Sequence, residues 1–355
     1  MRQDLAELVE DPIFQLNAML WLVQPLPRDF QALGIRPLLY EQGFSVYAIA
    51  PLLAAPPDLR LAMIRAGVAF KERVRPDVVL EGQGKFAITE CKKSSFGSES
   101  SNRDQMHTLL AISGPRLAEV LGEARERVKG SMLVTVLPEP QRSLFTETLG
   151  ALQAELRSIG CPAGDWATLG LKVEQERIAL VFDSRSASFF GFEPGGHFFL
   201  RVWPDTDPRP LYFIPYDPDV EQSPAERNLC RRILLERILA SLIRVVGRST
   251  PPCEIRISCE DLLRDATLGV YEFWENRDSA VHMRRLCKHF IRNLAQEANQ
   301  IIPEALTYVG QDQVWLIKVA DEGQHQSLLQ AMMEFSAEHT QPAEIEQIPL
   351  FDDLG

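Results

Sequence analysis

The chain has 355 residues, of which 45% are hydrophobic and 24% are charged, and its formal net charge at pH 7 is −12. The length predicts two or three domains. The acidic balance excludes a protein that coats nucleic acid through its overall charge, but it allows an enzyme with a local basic surface. No apolar run is long enough to cross a bilayer and the first residues lack a basic signal-peptide start, so we expect a cytoplasmic protein without a membrane segment.

The spacing of apolar residues predicts the elements at the start of the chain. Helical spacing predicts a helix over residues 4–24 and another over 56–66, with Asp58 as the N-cap of the second helix. Strands are predicted at 42–49 and at 68–75. We expect the later of these two strands to be the first strand of a sheet.

The segment 74–93 predicts a β-hairpin, because two apolar β runs flank a glycine-containing turn at 82–84. Side chains at positions i and i+2 of a strand share a face, so Glu90 and Lys92 point the same way. The hairpin brings them towards Asp77, near the start of the partner strand. Two carboxylates and one ammonium group are therefore expected on one face of a small sheet.

This combination of groups has a known chemical use. Hard divalent cations such as Mg²⁺ take oxygen ligands, often one or two carboxylates together with water and a substrate phosphate. A cation held in this way lowers the pKa of a bound water and neutralises charge on a phosphodiester in the transition state. A neighbouring lysine can orient the water or meet the phosphate.

Pro76-Asp77 followed by Glu90-Cys91-Lys92 resembles the signature of the PD-(D/E)XK nuclease superfamily. The resemblance covers roughly residues 60–140. It implies a restriction-endonuclease-like mixed sheet of four strands flanked by helices, and Mg²⁺ or Mn²⁺ held by Asp77, Glu90 and the backbone carbonyl of Cys91. It also implies that Lys92 lies at the nucleophile. The alternative is an exposed hairpin that carries ordinary surface charges.

The next elements agree with the order that the resemblance implies. A polar loop at 94–102 leaves the predicted site, a helix follows over 103–112, and a buried strand is predicted at 132–137. In parts of the superfamily a helix glutamine lies near the metal, and Gln105 can match it, although Leu109 stands where an aromatic residue often completes that pattern. The alternative is a glutamine that faces solvent or serves in packing.

Many superfamily members carry a further carboxylate on the helix before the sheet. Glu41 and Glu72 are both candidates for that position, and the sequence does not choose between them.

The middle of the chain is predicted to be rich in strands. After a helix at 143–158, strands are predicted at 171–182, 197–203 and 211–214. These strands either extend the nuclease sheet or form a separate unit.

From Pro224 onwards the pattern becomes mainly helical. An amphipathic helix is predicted at 226–246, and Ser258 is the expected N-cap of a short helix. A helix at 279–297 and a hairpin over 307–319 follow. Helices that are followed by a hairpin indicate a winged-helix module, although this argument rests on the fold alone.

The helix predicted at 279–297 carries a cluster of basic residues in an otherwise acidic chain. Arg284, Arg285, Lys288 and Arg292 lie in a run without an acidic residue, and the last three share a face at helical spacing. They can meet DNA phosphates. The alternative is a solvated face that pairs with acidic neighbours.

The chain ends in an acidic tail that contains a short motif. Gln347, Leu350 and Phe351 resemble the pentapeptide that binds the bacterial sliding clamp, in which a glutamine precedes a Leu-Phe pair by two residues. The apolar pair would fill a pocket and the glutamine would supply hydrogen bonds. The alternative is a tail that packs on its own domain.

These patterns together predict a nuclease domain at 1–158, a β-rich unit at 159–222, a helical domain that binds DNA or a partner at 223–340, and a tail at 341–355. The expected activity is metal-dependent hydrolysis of DNA phosphodiesters, in repair or in defence against foreign DNA. A catalytically silent scaffold of the same fold, which binds nucleic acid or protein, is the alternative. Cleavage of RNA is a third possibility.

Overall fold

The computed structural model describes residues 5–28, 30, 34–94, 101–114, 116–202, 207–218, 223–310 and 313–339. The protein is a mixed α/β protein with two compact units. Unit 1 comprises residues 1–222 and 270–280, and unit 2 comprises residues 223–269 and 281–355. Among the described residues, no helix combines the length and the apolar character needed to span a membrane.

Unit 1 is built on a seven-stranded mixed sheet with the strand order β1-β4-β5-β6-β7-β8-β9. The three parallel strands β5, β6 and β7 lie in the middle, and every other pairing is antiparallel. The strands are β1 (Ser45–Ile49), β4 (Val78–Gly82), β5 (Lys85–Cys91), β6 (Gly130–Pro138), β7 (Asp165–Glu174), β8 (Arg177–Phe182) and β9 (Gly195–Arg201). Strands β7 to β9, from the predicted β-rich segment, thus belong to the same sheet as the hairpin.

Helices cover both faces of this sheet and create two apolar cores. In the described part of unit 1 the helices are α1 (Leu5–Glu10), α2 (Pro12–Val23), α3 (Leu38–Glu41), α4 (Pro57–Ala66), α5 (Ser101–Ile112), α6 (Leu117–Leu121), α7 (Arg142–Ser158) and α8 (Ser184–Phe190). Helices α2, α3 and α8 pack on one face with alternate residues of the strands. Helices α4, α5, α6 and α7 pack on the opposite face. The sheet is therefore buried on both sides, as its continuous apolar strands require.

The prediction that 68–75 forms the first strand of the sheet is wrong. Only β3 (Arg73–Val74) is extended there, and it pairs with β2 (Leu53–Ala54) in a separate two-stranded sheet. The first strand of the main sheet is β1, which pairs with β4. The charged side chains of residues 71–73 do not suit a buried strand, whereas β1 carries the alternating apolar residues that a sheet face needs.

The strand predicted at 211–214 is also absent. A 3₁₀ turn, Arg209–Leu211, is followed by irregular backbone. The side chain of Asn17 takes both backbone groups of Ile214, accepting from its N–H and donating to its carbonyl, each at 2.9 Å. A buried side-chain amide thus replaces the strand partner that this backbone would otherwise need.

Three other predictions change in detail. The strand predicted at 171–182 is the hairpin of β7 and β8, which turns at Gln175 with φ 55°. Asp58 does not cap α4, because it pairs with Arg116 instead. The helix predicted at 4–24 is split between α1 and α2, since Asp11 caps the second of them by accepting from the N–H of Ile13.

Unit 2 contains four helices and a three-stranded antiparallel sheet in the described part of the chain. In chain order the elements are α9 (Pro224–Gly247), β10 (Cys253–Ser258), α10 (Cys259–Ala266), α11 (Arg277–Ile301), β11 (Leu306–Val309), β12 (Val314–Val319) and α12 (Glu322–His339). The strand order is β10-β12-β11. Ser258 forms the predicted N-cap, in a capping box with Asp261.

Candidate functional site

The β4–β5 hairpin places the candidate residues at one end of the sheet. Its two-residue turn consists of Gln83 and Gly84, with φ 57° and 82°, the pair of positive values that a tight hairpin turn of this kind requires. Gly82 has another role, since a Cβ at this position would lie 2.8 Å from the ring of Phe44. The turn therefore fixes the register in which Val78 lies opposite Thr89, so that Asp77 lies opposite Glu90.

The side chain of Asp77 is hydrogen-bonded to β5, the strand that carries Glu90. Its Oδ2 accepts a hydrogen bond of 2.5 Å from the backbone N–H of Cys91. This bond spans the end of the hairpin and fixes the carboxyl beside Glu90. The side chain of Cys91 belongs to the core on the α2 side, and burial together with the neighbouring Asp77 and Glu90 raises the pKa of its thiol.

Glu90 is the most deeply buried carboxylate of the cluster, with only 3% of the residue exposed. Its Oε1 accepts hydrogen bonds from Lys92 Nζ at 2.7 Å and from Gln105 Nε2 at 2.8 Å. Its Oε2 is buried without a partner among the described residues. The carboxylate is therefore fixed on one oxygen, while the other oxygen is available to a ligand.

Burial and charge set the ionisation of this cluster. The pKa of Asp77 is raised to about 8, first by burial and then by the nearby charges of Glu90 and Asp217. Burial acts to lower the pKa of Lys92, but the carboxylates of Glu90 and Asp77 outweigh it and raise that pKa above its ordinary value. Lys92 is thus a cation at neutral pH, whereas Asp77 keeps its proton there.

Asp217 is an acidic residue near the site that sequence patterns did not reveal. It follows the last strand of the sheet, in irregular backbone just after Ile214, and it is 8% exposed. The bonds between Asn17 and Ile214 anchor this segment to α2. No spacing signal links Asp217 with Asp77, because the two residues are far apart in the chain and meet only through tertiary packing.

Gln15 is a second residue that sequence analysis missed. Its Nε2 donates to the backbone carbonyls of Val9 at 2.9 Å and of Lys92 at 3.2 Å, and the side chain is fully buried. The sequence does carry one signal for this role, because Gln15 is a polar residue in a mainly apolar helix. A buried amide at such a position needs hydrogen-bond partners in the fold. Gln15 therefore ties α2 to the backbone of Lys92.

The two candidates for a further carboxylate are exposed and form ion pairs. Glu41 pairs with Arg36 at 3.8 Å, and Glu72 pairs with Arg60 at 3.4 Å. Besides Glu90, the acidic residue whose charge raises the pKa of Asp77 is Asp217.

The four basic residues of α11 have different surroundings. Arg284 Nη1 lies 2.7 Å from Glu260 Oε1, and Lys288 Nζ lies 4.5 Å from the ring centre of Tyr308. Arg285 and Arg292 are exposed, and neither has an ion-pair partner among the residues that the structure describes. These two exposed arginines are called the cationic face of α11 below.

The tail motif of Gln347, Leu350 and Phe351 lies outside the described residues.

The donor set at the hairpin fits a hard divalent cation that keeps part of its water shell. The carboxyl groups of Asp77 and Glu90 lie near enough for the charge of Glu90 to raise the pKa of Asp77, and Glu90 Oε2 is buried without a partner among the described residues. Mg²⁺ is commonly held by one or two carboxylates with waters completing its shell. Within the described part of the chain, no group of three or more His, Cys, Asp or Glu side chains is placed to hold a metal ion.

Comparisons of the chain with family models, with curated proteins and with solved structures gave no match.

Proposed function

We propose that the protein is a metal-dependent nuclease that hydrolyses phosphodiester bonds in DNA. The observation that carries this proposal is the convergence of Asp77, Glu90, Lys92 and Gln105 at one end of β5, with Lys92 and Gln105 both bonded to Glu90 Oε1. Two acidic groups, one cation and one amide in a buried corner match what phosphodiester hydrolysis needs.

The topology around the hairpin supports the restriction-endonuclease-like interpretation. Strands β1, β4 and β5 form an antiparallel run, and β6 adds to β5 in parallel after the crossover through α5. These four strands form one side of the seven-stranded sheet, and helices cover both of its faces, an arrangement consistent with the four-stranded core that the resemblance implies. The core of the proposed domain thus begins before β1, earlier than residue 60, and includes residues up to the end of β6.

In this proposal Asp77, Glu90 and the backbone of Cys91 hold Mg²⁺ or Mn²⁺. When bound, the ion supplies an activated water and neutralises charge on the phosphate. Lys92 remains protonated because its pKa is raised, so it acts as a positive charge and hydrogen-bond donor towards the phosphate or the water. Gln105 keeps the carboxylate of Glu90 oriented by donating to Oε1.

The direct test is cleavage of plasmid DNA in the presence of Mg²⁺ or Mn²⁺. We expect the wild type to cleave and Asp77→Asn and Lys92→Met to lose at least 100-fold in rate, roughly the size of a single electrostatic contribution. Asp58→Asn, which alters an exposed ion pair of the same unit, should cleave like the wild type. Parallel assays with single-stranded DNA and RNA define the substrate.

The same assay discriminates the alternative function. A wild-type protein that cleaves none of these substrates and binds no divalent cation would be a scaffold that uses the same fold to bind nucleic acid or protein. In that case the hairpin cluster would serve only the packing of unit 1.

The order of elements in unit 2 supports a winged-helix module that binds DNA. A helix, a strand, two helices and two strands follow one another, and the last strand lies between the other two in the sheet. The second of the two consecutive helices is α11, which carries exposed Arg285 and Arg292. In helix-turn-helix modules this is the helix that enters the major groove.

The tail is proposed to recruit the sliding clamp through Gln347, Leu350 and Phe351. A pull-down with the clamp should retain the wild type and lose the variant in which Leu350 and Phe351 are both changed to alanine, because these side chains fill the apolar pocket. Equal retention of both proteins would exclude this role. Such an interaction would place the nuclease at replicating DNA, in repair or in defence.

A further inference from the structure

A row of polar side chains crosses the face of the sheet that carries Glu90. The register places Glu90 beside Thr135 of β6, and Thr135 beside Thr168 of β7. Two positions earlier the same register pairs Ile88 with Leu133, and both lie in the core on the α5 side. Since alternate residues of a strand share a face, Glu90 and Thr135 project side by side towards α5 and α7.

Two atoms in this row have open hydrogen-bonding capacity. Thr135 Oγ1 and Glu90 Oε2 are both buried without a partner among the described residues. The hydroxyl of Thr168, on the other side of Thr135, already lies 3.2 Å from the hydroxyl of Thr146 and 3.5 Å from Asp183 Oδ2. Glu90 is therefore the neighbour in the row to which the hydroxyl of Thr135 can turn.

We propose that Thr135 is a positioning residue for Glu90, acting through one ordered water shared by the Thr135 hydroxyl and Glu90 Oε2. Neighbouring strands lie about 4.8 Å apart, so polar groups that project side by side from one face are within reach of a single bridging water. Buried waters commonly satisfy polar groups that the protein leaves open. The inference rests on the proposed function, because the bridge directs the free oxygen of Glu90 towards the cation.

The bridge completes the support of the carboxylate. Lys92 and Gln105 hold Oε1, whereas nothing among the described side chains holds Oε2 directly. A carboxylate bonded on one side can rotate about its last torsion, and a second contact removes that freedom. Partners of this kind change the metal affinity of a site by about 10- to 100-fold when they are removed.

Thr89 provides a matched control. It is the residue before Glu90, is fully buried, and has a hydroxyl without a partner among the described residues, as Thr135 does. Its register partners Val78 and Val134 lie in the core on the α2 side, so its side chain projects from the opposite face of the sheet. A change at Thr89 removes an equally buried hydroxyl that cannot reach the free oxygen of Glu90.

The test is the affinity of the full chain for Mn²⁺, measured by titration calorimetry, together with the melting temperature of each variant. We expect Thr135→Val to weaken binding by about tenfold, and Thr135→Ser and Thr89→Val to bind like the wild type. If Thr135→Val does not fold, Thr135→Ala and Thr135→Ser carry the comparison, because they differ only in the hydroxyl.

The outcomes separate the two proposals. Wild-type affinity in both Thr135→Val and Thr135→Ala, or an equal loss in Thr89→Val, would overturn the role of Thr135 while leaving the cation site intact. A wild type that binds no Mn²⁺ would overturn the proposed function and the positioning role together. Weak binding in Thr135→Ala that is restored in Thr135→Ser, at similar melting temperatures, would support the hydroxyl rather than packing as the cause.

Discussion

Asp77 is the residue at which a proton and a cation compete in the proposed site. Its pKa is raised to about 8 by burial and by the charges of Glu90 and Asp217. Below that pH the carboxyl keeps a proton, which a bound cation must displace. We expect the affinity for Mn²⁺ to rise by roughly tenfold per pH unit up to about pH 8 and then to level off.

Calorimetry in two buffers with different ionisation heats measures this effect and counts the proton released. An affinity that does not change between about pH 6 and about pH 8 would contradict the raised pKa of Asp77.

The same ionisation predicts how pH changes the stability of the metal-free protein. The pKa of Asp77 is about 8 in the folded state and 3.8 in the unfolded state. Its contribution to stability is therefore fully present below pH 3.8 and is lost as the pH rises to about 8, because ionising the buried carboxyl carries a free-energy penalty in the folded state. Asp77→Asn removes this penalty and keeps an oxygen that accepts from Cys91. We expect the stability advantage of the variant over the wild type to grow by about 1–2 kcal/mol from about pH 6 to about pH 8.5, because partial exposure of the side chain reduces the full effect.

Urea denaturation in the presence of a chelator measures this difference. Asp58→Asn is the control, because Arg116 lowers the pKa of Asp58 and any effect of that group is constant above neutral pH. A stability difference between Asp77→Asn and the wild type that is equal at both pH values would count against the prediction.

At the scale of elements, local signals predicted the hairpin and the buried strand after it, because each depends on neighbouring residues. The β4–β5 turn was expected from the glycine-containing segment 82–84, of which Gly84 lies in the turn, and β6 follows from a continuous apolar run closed by proline. The first strand was placed wrongly, since 68–75 and β1 both have β-forming residues and only pairing with β4 decides between them. The N-cap predicted at Ser258 is confirmed. The N-cap predicted at Asp58 is wrong, because its carboxylate pairs with Arg116 from another part of the chain.

The β4–β5 hairpin gives a prediction about Gly82. A Cβ at Gly82 would lie 2.8 Å from the Phe44 ring and 2.9 Å from the carbonyl of Gly43, neither of which can easily move. We expect Gly82→Ala to lower the free energy of unfolding by about 1–3 kcal/mol through overpacking. It should also reduce cleavage, because the hairpin sets the register between Asp77 and Glu90.

Gly130→Ala is the matched control, since the nearest atom to its Cβ is the flexible side chain of Lys85 at 3.8 Å. Urea denaturation of both variants should show a loss only for Gly82→Ala. Equal stabilities would mean that the Phe44 ring moves aside at little cost.

At the scale of the whole molecule, the cluster around Asp77 combines groups from distant parts of the chain. Gln15 comes from α2, and Asp217 follows the last strand of the sheet. Sequence spacing predicts which residues of one hairpin share a face, but it holds no information on which distant segments pack against that face. This is why Asp77, Glu90, Lys92 and Gln105 could be named from the sequence, whereas Gln15 and Asp217 could not.

The chain has a net charge of −12, so DNA binding by unit 2 needs a local positive surface. The cationic face of α11 is the surface at which we test this binding. Each arginine that neutralises a phosphate adds about 0.9 to the slope of log affinity against log salt concentration. We expect the full chain with Arg285→Ala and Arg292→Ala to bind duplex DNA with a slope reduced by about 2. Arg284→Ala, on the same helix but paired with Glu260, should leave the slope almost unchanged. Fluorescence anisotropy over a salt series measures all three proteins. An unchanged slope in the double variant would mean that these arginines are only a solvated face, and DNA would then have to meet another part of the molecule.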